Sequence, residues 1–204
     1  MQLILATHNE HKCTELREIL AGEGLDLDLR SLRDLGFDEE IIEDGQSFYE
    51  NARIKAQTVA RNFPGAWVLA DDSGLEVDCL GGRPGIYSAR YQGENTAYPQ
   101  KWARLMEEVE AAGTNRRAQF RCVIVCLGPE GQEIQAEGCL CGEIAREARG
   151  TEGFGYDPIF YLPELGLTAA ELSPEEKNRR SHRGMALRLF VQRLRQELSQ
   201  AGLS

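Results

Sequence analysis

The sequence predicts an α/β or α+β fold with a mixed central sheet. Strand-like apolar segments are interspersed with amphipathic helical segments along the 204 residues, as expected for a sheet covered by helices. The strand-like segments 119–127 and 133–143 flank Gly128-Pro129-Glu130-Gly131, which is typical of a hairpin. No internal repeat, low-complexity tract or long linker interrupts the pattern, so residues 1–204 are predicted to form a single domain.

Three local signals define the elements of the N-terminal half. Gly22 ends a helical pattern, Ser47 and Glu50 match the S-x-x-E capping box, and Ser73-Gly74 predict a turn. The predicted elements in chain order are a strand at 3–6, a helix at 10–21, a short strand near 26–30, an acidic loop, a helix at 47–62, and strands at 67–70 and 75–79.

The C-terminal half is predicted from the same kinds of signal. Ser181 is a good N-cap for a last helix. Its predicted inward-facing residues are Leu187, Phe190, Val191, Leu194 and Leu198. The predicted elements are a loop at 81–85, a helix at about 99–112, the hairpin strands, a glycine-rich loop at 150–158 and the helix at about 182–199.

Charge and hydropathy limit the classes of partner. The formal net charge is -10, which argues against binding to long nucleic acids but not against a small anion held by a local cluster of basic residues. No segment has the roughly 18 apolar residues of a membrane helix, and the N-terminus lacks the basic region of a signal peptide. A cytoplasmic protein without a membrane partner is therefore expected.

The six cysteines are predicted to be buried free thiols in a reducing compartment. They are Cys13, Cys79, Cys122, Cys126, Cys139 and Cys141, and none forms a CxxC pair. Cys139 and Cys141 would share one face of a strand. This spacing does not predict a disulfide framework or a zinc site.

The segment THNEHK, residues 7–12, lies between a predicted strand and a helix. Backbone N–H groups at a helix N-terminus attract anions, Thr7 and Asn9 can hydrogen-bond a phosphate, and Lys12 adds positive charge. Alternatively, Thr7 or Asn9 only caps the helix and Lys12 is solvated. The P-loop spacing is absent, and His8 and His11 are more typical of loop residues than of metal ligands.

Two adjacent carboxylates, Asp71 and Asp72, end an apolar strand. Each raises the pKa of the other unless a cation is near, and Mg²⁺ commonly binds one or two carboxylates with waters and phosphates. Alternation along a strand points the two side chains in opposite directions, so one is expected to face a metal. Alternatively, these carboxylates accept backbone hydrogen bonds in a turn. Lys55 either approaches Asp72 or a phosphate, or is a surface lysine.

Two C-terminal segments have side chains suited to a nucleobase. In GFGYD, Phe154 and Tyr156 can stack on an aromatic ring and Asp157 can accept hydrogen bonds from ring N–H groups; alternatively, the rings fill the core beside a turn. His182 and Arg183 would lie in the first turn of the last helix, where positive charge is locally unfavourable. A bound anion or a carbonyl-rich ligand would relieve this.

Together these segments resemble the inosine/xanthosine triphosphate pyrophosphatase family, also called Ham1-like, which hydrolyses non-standard purine nucleotides. Five segments match in the family's order: THNEHK (7–12), FYENARIKA (48–56), ADDSGLEVDCLGGRPGIYSARY (70–91), GTEGFGYDPIF (150–160) and AAELSPEEKNRRSHRGMAL (169–187). The resemblance implies an elongated α/β domain with a long mixed central sheet, two lobes and a deep cleft between them, usually assembled as a homodimer. It also implies Mg²⁺-dependent hydrolysis of ITP, dITP or XTP to the monophosphate and pyrophosphate.

The resemblance also assigns roles to residues. Asp72 matches the general base and metal-linked acid, and Lys55 is expected to assist it by offsetting phosphate charge. Triphosphate contacts are implied for Thr7, His8, Asn9, Glu10, His11 and Lys12. Further nucleotide contacts are implied for Ser73, Phe154, Gly155, Tyr156, Asp157, Lys177, His182 and Arg183, of which His182 and Arg183 could donate to the purine O6.

One position departs from the family pattern. The family commonly has an acid three residues before the glycine that here is Gly45, and this chain has Ile42. Glu43 and Asp44 are the nearest substitutes, and Glu43 is predicted as the second metal ligand. Two other functions stay open: a non-catalytic nucleotide sensor, and a pyrophosphatase for modified pyrimidine nucleotides.

Overall fold

The computed structural model describes residues 1–25 and 27–200 and contains a mixed sheet with helices. The strands are β1 (Gln2–Leu5), β2 (Asp28–Ser31), β3 (Trp67–Val77), β4 (Arg117–Leu127), β5 (Glu133–Ile144), β6 (Phe160–Leu162) and β7 (Leu167–Thr168). The helices are α1 (Glu10–Gly22), α2 (Phe48–Asn62), α3 (Tyr98–Ala112), α4 (Pro174–Arg180) and α5 (His182–Gln200). The predicted α/β class is therefore confirmed.

The seven strands follow the order β2-β1-β3-β4-β5-β6-β7. β1 pairs in parallel with both β2 and β3, whereas β6 pairs antiparallel with β5 and β7. The predicted mixture of strand directions is confirmed. Residue 26, the first of the short strand predicted near 26–30, lies outside the described residues.

The chain divides into two compact units. The first comprises the described parts of Met1–Asp72, Cys122–Gly138 and Arg183–Ser204, and the second comprises Ser73–Arg121 and Cys139–His182.

In the first unit, β1 is buried on both faces. Leu3 and Leu5 belong to a core cluster with residues of α1 and α5, whereas Ile4 and Ala6 belong to a cluster with residues of α2. Alternation along the strand explains the division, and burial on both faces explains the continuous apolar sequence. The first four residues of β3 alternate between the same two clusters, and the two aspartates follow them in the strand.

The second unit has its own core, and one predicted turn beside this core is absent. The turn predicted at Ser73-Gly74 is wrong, because β3 continues without a break from Trp67 to Val77. Leu75 is fully buried in this core, and its N–H donates to the Ser88 hydroxyl at 2.9 Å. Burial and this hydrogen bond outweigh the local turn preference of a Ser-Gly pair.

Two finer predictions also change. The Ser47 hydroxyl accepts from the Glu50 N–H at 3.1 Å, but the Glu50 carboxylate accepts from the Gln46 N–H at 2.7 Å rather than from Ser47. All six cysteines are free, but the prediction that all are buried is wrong for three of them, because Cys141 is exposed and Cys79 and Cys139 are half-buried. Cys141 continues the outward-facing series of alternate β5 residues that begins at Glu133.

The last helix matches its prediction. Leu187, Phe190, Val191 and Leu194 are buried in the core, and Leu198 packs against them. The short α4 was not predicted, and Ser181 ends it immediately before α5 begins. None of the helices within residues 1–25 and 27–200 combines the length and the apolar character needed to cross a membrane.

Candidate functional site

Asp71 and Asp72 contact different elements of the first unit. Along β3, Trp67 and Leu69 face the cluster that includes α1 and α5, and Val68 and Ala70 face the cluster that includes α2. Extended by two residues, this alternation turns Asp71 toward α1 and α5 and Asp72 toward α2. Both side chains are buried, so each depends on the charged groups around it.

Asp71 lies between two cations. Its Oδ2 is 2.9 Å from Lys12 Nζ and 3.4 Å from Arg183 Nε, and Arg183 also pairs with Glu15. Burial alone would raise the pKa of Asp71, but Lys12 and Arg183 together hold it well below its usual range. Asp71 is thus ionised at neutral pH and holds Lys12 and Arg183 in place.

The same ion pairs account for positive charge at the start of α5. Arg183 is buried, and burial would lower its pKa, but Asp71 and Glu15 raise it above its ordinary value. Two carboxylates of the protein therefore provide the neutralisation for which the sequence had suggested a bound anion or carbonyl-rich ligand. Glu15 gave no separate signal in the sequence.

Asp72 is held by two side chains of α2. Asn51 Nδ2 donates to its Oδ2 at 3.1 Å, and Lys55 Nζ lies 3.5 Å from its Oδ1. Lys55 Nζ also lies 3.0 Å from Glu43 Oε2, so one ammonium joins two carboxylates. Lys55 is buried and is not the surface lysine of the alternative interpretation.

The pKa of Asp72 shifts in the opposite direction to that of Asp71. Burial raises the pKa of Asp72, and Glu43 adds to the rise, while Lys55 and Lys12 only partly offset it. Burial alone would lower the pKa of Lys55, but Asp72 and Glu43 hold it above its ordinary value. Asp72 is therefore the more basic of the adjacent carboxylates.

Asn51 connects Asp72 to the acidic loop. The Gly45 N–H donates to Asn51 Oδ1 at 2.9 Å while the Asn51 amide donates to Asp72. A Cβ at Gly45 would lie 2.7 Å from Asn51 Oδ1, so a side chain cannot be added there without displacing the loop. This close contact fixes the loop that carries Glu43. Sequence reasoning placed Asn51 one turn from Lys55 but did not include it in the site.

Oxygen donors near Lys55 fit a magnesium ion. Asp72 and Glu43 both lie at the Lys55 ammonium, and Mg²⁺ usually binds one or two carboxylates and completes its coordination with water and phosphate. Within the described residues no group of three or more His, Cys, Asp or Glu side chains could hold a metal. Ile42, by contrast, is 71% exposed.

The segment 7–12 forms the start of α1. Asn9 is its N-cap and accepts from the Lys12 N–H at 3.2 Å, while the Thr7 hydroxyl accepts from the Asn9 N–H at 3.2 Å. The His8 ring stacks on Phe37 with centroids 6.5 Å apart. The polar residues beside a pocket of about 340 Å³ include Thr7, His8, Glu10, Ser31, Arg33 and Asp38; His11 is exposed.

In the second unit, Asp157 organises the GFGYD loop. Its Oδ2 accepts from the Phe154 N–H and from Lys177 Nζ, both at 2.8 Å, and Lys177 Nζ lies 4.8 Å from the Phe154 ring centroid. Gly153 has φ +76°, and a Cβ there would lie 2.2 Å from Asp157 Oδ2. Only glycine fits this position.

Helix α3 and the segment around Ser88 hold the rest of the loop. Trp102 Nε1 donates to the Gly155 carbonyl at 2.8 Å, and the Tyr156 hydroxyl donates to the Ser88 carbonyl at 2.9 Å. Tyr98 packs edge-on against Tyr156, with centroids 5.5 Å apart. Tyr156 is buried, so of the two predicted stacking rings only Phe154 is partly exposed.

Two further residues that were predicted to contact the nucleotide, His182 and Ser73, lie in the second unit. His182 is buried and its ring stacks on Phe120, with centroids 4.9 Å apart. Ser73 follows Asp72 on β3 and is half-buried.

In the first unit, Lys12, Asp71 and Arg183 form one cluster.

Six other predicted residues form two further clusters. Glu43, Lys55 and Asp72 lie together in the first unit, and Phe154, Asp157 and Lys177 lie together in the second.

Known proteins resemble this chain in both sequence and fold. A model of the Ham1 family matches residues 3–193. A dITP/XTP pyrophosphatase from Thioalkalivibrio sulfidiphilus is 51% identical over 199 residues, 95% of this chain and 98% of that protein. One from Bacillus subtilis is 45% identical over 188 residues, 92% and 93% of the two chains. A solved HAM1 protein from Coxiella burnetii has a TM-score of 0.87 at 40% identity, covering 96% of this chain and 99% of that one.

Proposed function

Because this chain belongs to the Ham1 family, we propose that it hydrolyses non-standard purine nucleoside triphosphates (ITP, dITP and XTP) to the monophosphate and pyrophosphate. The observation that carries the proposal is the 51% identity to a dITP/XTP pyrophosphatase over 95% of the chain. The reaction removes unwanted nucleotides from the precursor pool.

Asp72 acts as the general base in this proposal. Burial raises the pKa of its carboxylate in the metal-free chain, and a carboxylate of higher pKa is a better proton acceptor. It accepts a proton from the water that attacks the α-phosphorus in line with the leaving pyrophosphate. Asn51 and Lys55 fix the orientation of the carboxylate.

Asp72 and Glu43 would hold Mg²⁺ in the proposed complex. The bound ion supplies positive charge that offsets the charge of the triphosphate and of the pyrophosphate leaving group. Lys55, which lies between these carboxylates, adds positive charge beside them. Glu43 is the proposed second acid because its carboxylate reaches Lys55. Ile42 has no oxygen that could bind a metal, and its side chain is exposed.

Residues 7–12 bind the phosphates. The N-terminus of α1 presents backbone N–H groups and the positive end of the helix dipole, and Lys12 adds an ammonium whose position Asp71 fixes. The contact residues proposed here are Thr7, His8, Asn9, Glu10, His11 and Lys12.

The base is recognised by residues of the GFGYD loop and by the residues that begin α5. Phe154 stacks on the purine and Asp157 accepts from a ring N–H, while His182 and Arg183 donate to O6. Adenine carries a donor at position 6, so a site built to donate there rejects ATP. The other contacts in the proposal are Ser73, Gly155, Tyr156 and Lys177. The active protein is proposed to be a cytoplasmic homodimer.

A rate panel tests the proposed substrate class. Turnover of ITP, XTP, GTP, ATP and dUTP is measured with Mg²⁺ at equal concentrations, and kcat/KM is expected to be largest for ITP and XTP. Fastest turnover of dUTP would instead support a pyrimidine nucleotide pyrophosphatase. Calorimetric binding of ITP without turnover would support the nucleotide sensor.

Lys55→Gln is expected to move the acid limb of the pH–rate profile to higher pH. Lys55 lowers the pKa of Asp72, so removing the ammonium raises that pKa further. Since the base works when deprotonated, kcat/KM for ITP then begins to fall at a higher pH than in the native enzyme. Arg53→Gln on the exposed side of α2 is the control and leaves the limb in place. An acid limb of Lys55→Gln at the native or a lower pH contradicts this coupling.

A further inference from the structure

Two thiols outside the proposed active site share one face of β5. Cys139 and Cys141 are two residues apart on the strand, so their side chains lie on the same face. Gly142 lies on the opposite face, where a Cβ would be 2.8 Å from atoms of the Phe160 ring. Cys141 is exposed and Cys139 is half-buried. The pair is accessible to solvent from one side.

The spacing of the pair does not suit a direct disulfide. Residues i and i+2 of a strand have Cα atoms about 6.6 Å apart and Cβ atoms about as far. A disulfide requires Cβ atoms about 3.5–4.5 Å apart, so an S–S bond would need the strand to deform. One metal ion bonded to both sulfurs at about 2.3 Å spans a sulfur–sulfur distance of about 4.5 Å. Two thiols on neighbouring positions of one face can reach that distance.

The number of side chains that can bind a metal beside this pair indicates which ion it binds. Zinc in proteins takes three or four protein ligands, and no group of three or more His, Cys, Asp or Glu side chains that could hold a metal occurs among residues 1–25 and 27–200. Cu(I) is soft, prefers thiolates, and is stable with two sulfur ligands in line. We propose that Cys139 and Cys141 form a two-thiolate binding site for Cu(I).

The neighbouring side chains orient Cys139 and supply one positive charge. The Cys139 thiol donates to Gln119 Oε1 at 3.0 Å, and Gln119 Nε2 donates to Glu76 at 2.6 Å, so the amide beside Cys139 is itself fixed. Cu(I) replaces the Cys139 proton, so this hydrogen bond is lost when the ion binds. Two thiolates and one Cu(I) leave a net charge of -1. Arg121, whose charge favours the Cys139 thiolate, partly offsets it.

Competition for Cu(I) tests the proposal. The whole chain is titrated without oxygen or nucleotide against a coloured Cu(I) chelator such as bathocuproine disulfonate. The native chain is expected to withdraw one Cu(I), and Cys139→Ser and Cys141→Ser are each expected to lose that equivalent. Cys79→Ser removes another half-buried thiol and is expected to keep it.

Three results would overturn the proposal. They are a native chain that takes no Cu(I) from the chelator, a Cys139→Ser or Cys141→Ser chain that still takes one, and a Cys79→Ser chain that takes none. Circular dichroism of each variant establishes that the fold is kept. If Cys139→Ser does not fold, Cys141→Ser decides alone, because the exposed Cys141 thiol can be replaced without disturbing a core contact.

Discussion

Asp72→Asn is expected to lower kcat for ITP by about 10²–10⁴-fold, the usual contribution of a general base. Asparagine has nearly the same shape, but it cannot accept the proton of the attacking water. Nucleotide binding measured without Mg²⁺ should persist, because the proposed phosphate and base contacts come from other residues and Asp72 contributes to binding only as a proposed Mg²⁺ ligand. Steady-state kinetics gives kcat, and calorimetry with ITP gives the affinity.

Asp78→Asn is the matched control for Asp72→Asn. Asp78 is exposed just beyond the end of β3, so the same chemical change there should leave kcat at the native value. A full rate in Asp72→Asn would contradict the assignment of the base. An equal loss in both variants would show that the effect is not specific to the buried carboxylate.

Asp71→Asn is expected to lower the free energy of unfolding by about 3–5 kcal/mol, the range for removing one partner of a buried ion pair. Lys12 and Arg183 both contact the Asp71 carboxylate, and Glu15 would remain as a partner of Arg183 alone. Urea unfolding at neutral pH measures the loss. Asp28→Asn, which breaks an exposed ion pair with Arg30, should change stability little.

The Asp71 effect has a defined pH dependence. The folded-state pKa of Asp71 is lowered, so its contribution is complete above the unfolded-state pKa of about 3.9 and is lost as pH falls through the lower folded-state value. The stability difference between native and Asp71→Asn chains should therefore be constant from neutral pH down to about pH 5. A difference that disappears near neutral pH, or one no larger than that of Asp28→Asn, would contradict the buried anchor.

Much of the fold follows from local patterns in the sequence. The apolar run at β1, the Ser47 cap of α2 and the periodic face of α5 each identify an element with small boundary errors. The turn at Ser73-Gly74 was wrong because burial of Leu75 in the core overrides local turn preference. Short elements such as β6 and β7, with three and two residues, depend on their neighbours in the sheet and leave little sequence pattern.

The candidate site was predictable in its residue types more than in its pairings. Strand alternation correctly indicated that Asp71 and Asp72 point apart, and helical spacing placed Asn51 and Lys55 on one face of α2. The pairing of Arg183 with Glu15 joins residues 168 positions apart, and Trp102 reaches Gly155 from another element. Such long-range contacts depend on tertiary packing, which a single sequence does not encode in a local pattern.

The products formed from ITP test the central claim most directly. Purified protein is incubated with Mg²⁺ and ITP, and the phosphorus products are identified by ³¹P NMR. Attack at the α-phosphorus predicts inosine monophosphate and pyrophosphate in equal amounts, with no orthophosphate formed at early times. Release of orthophosphate and inosine diphosphate would place the attack at the γ-phosphorus and contradict the proposed reaction.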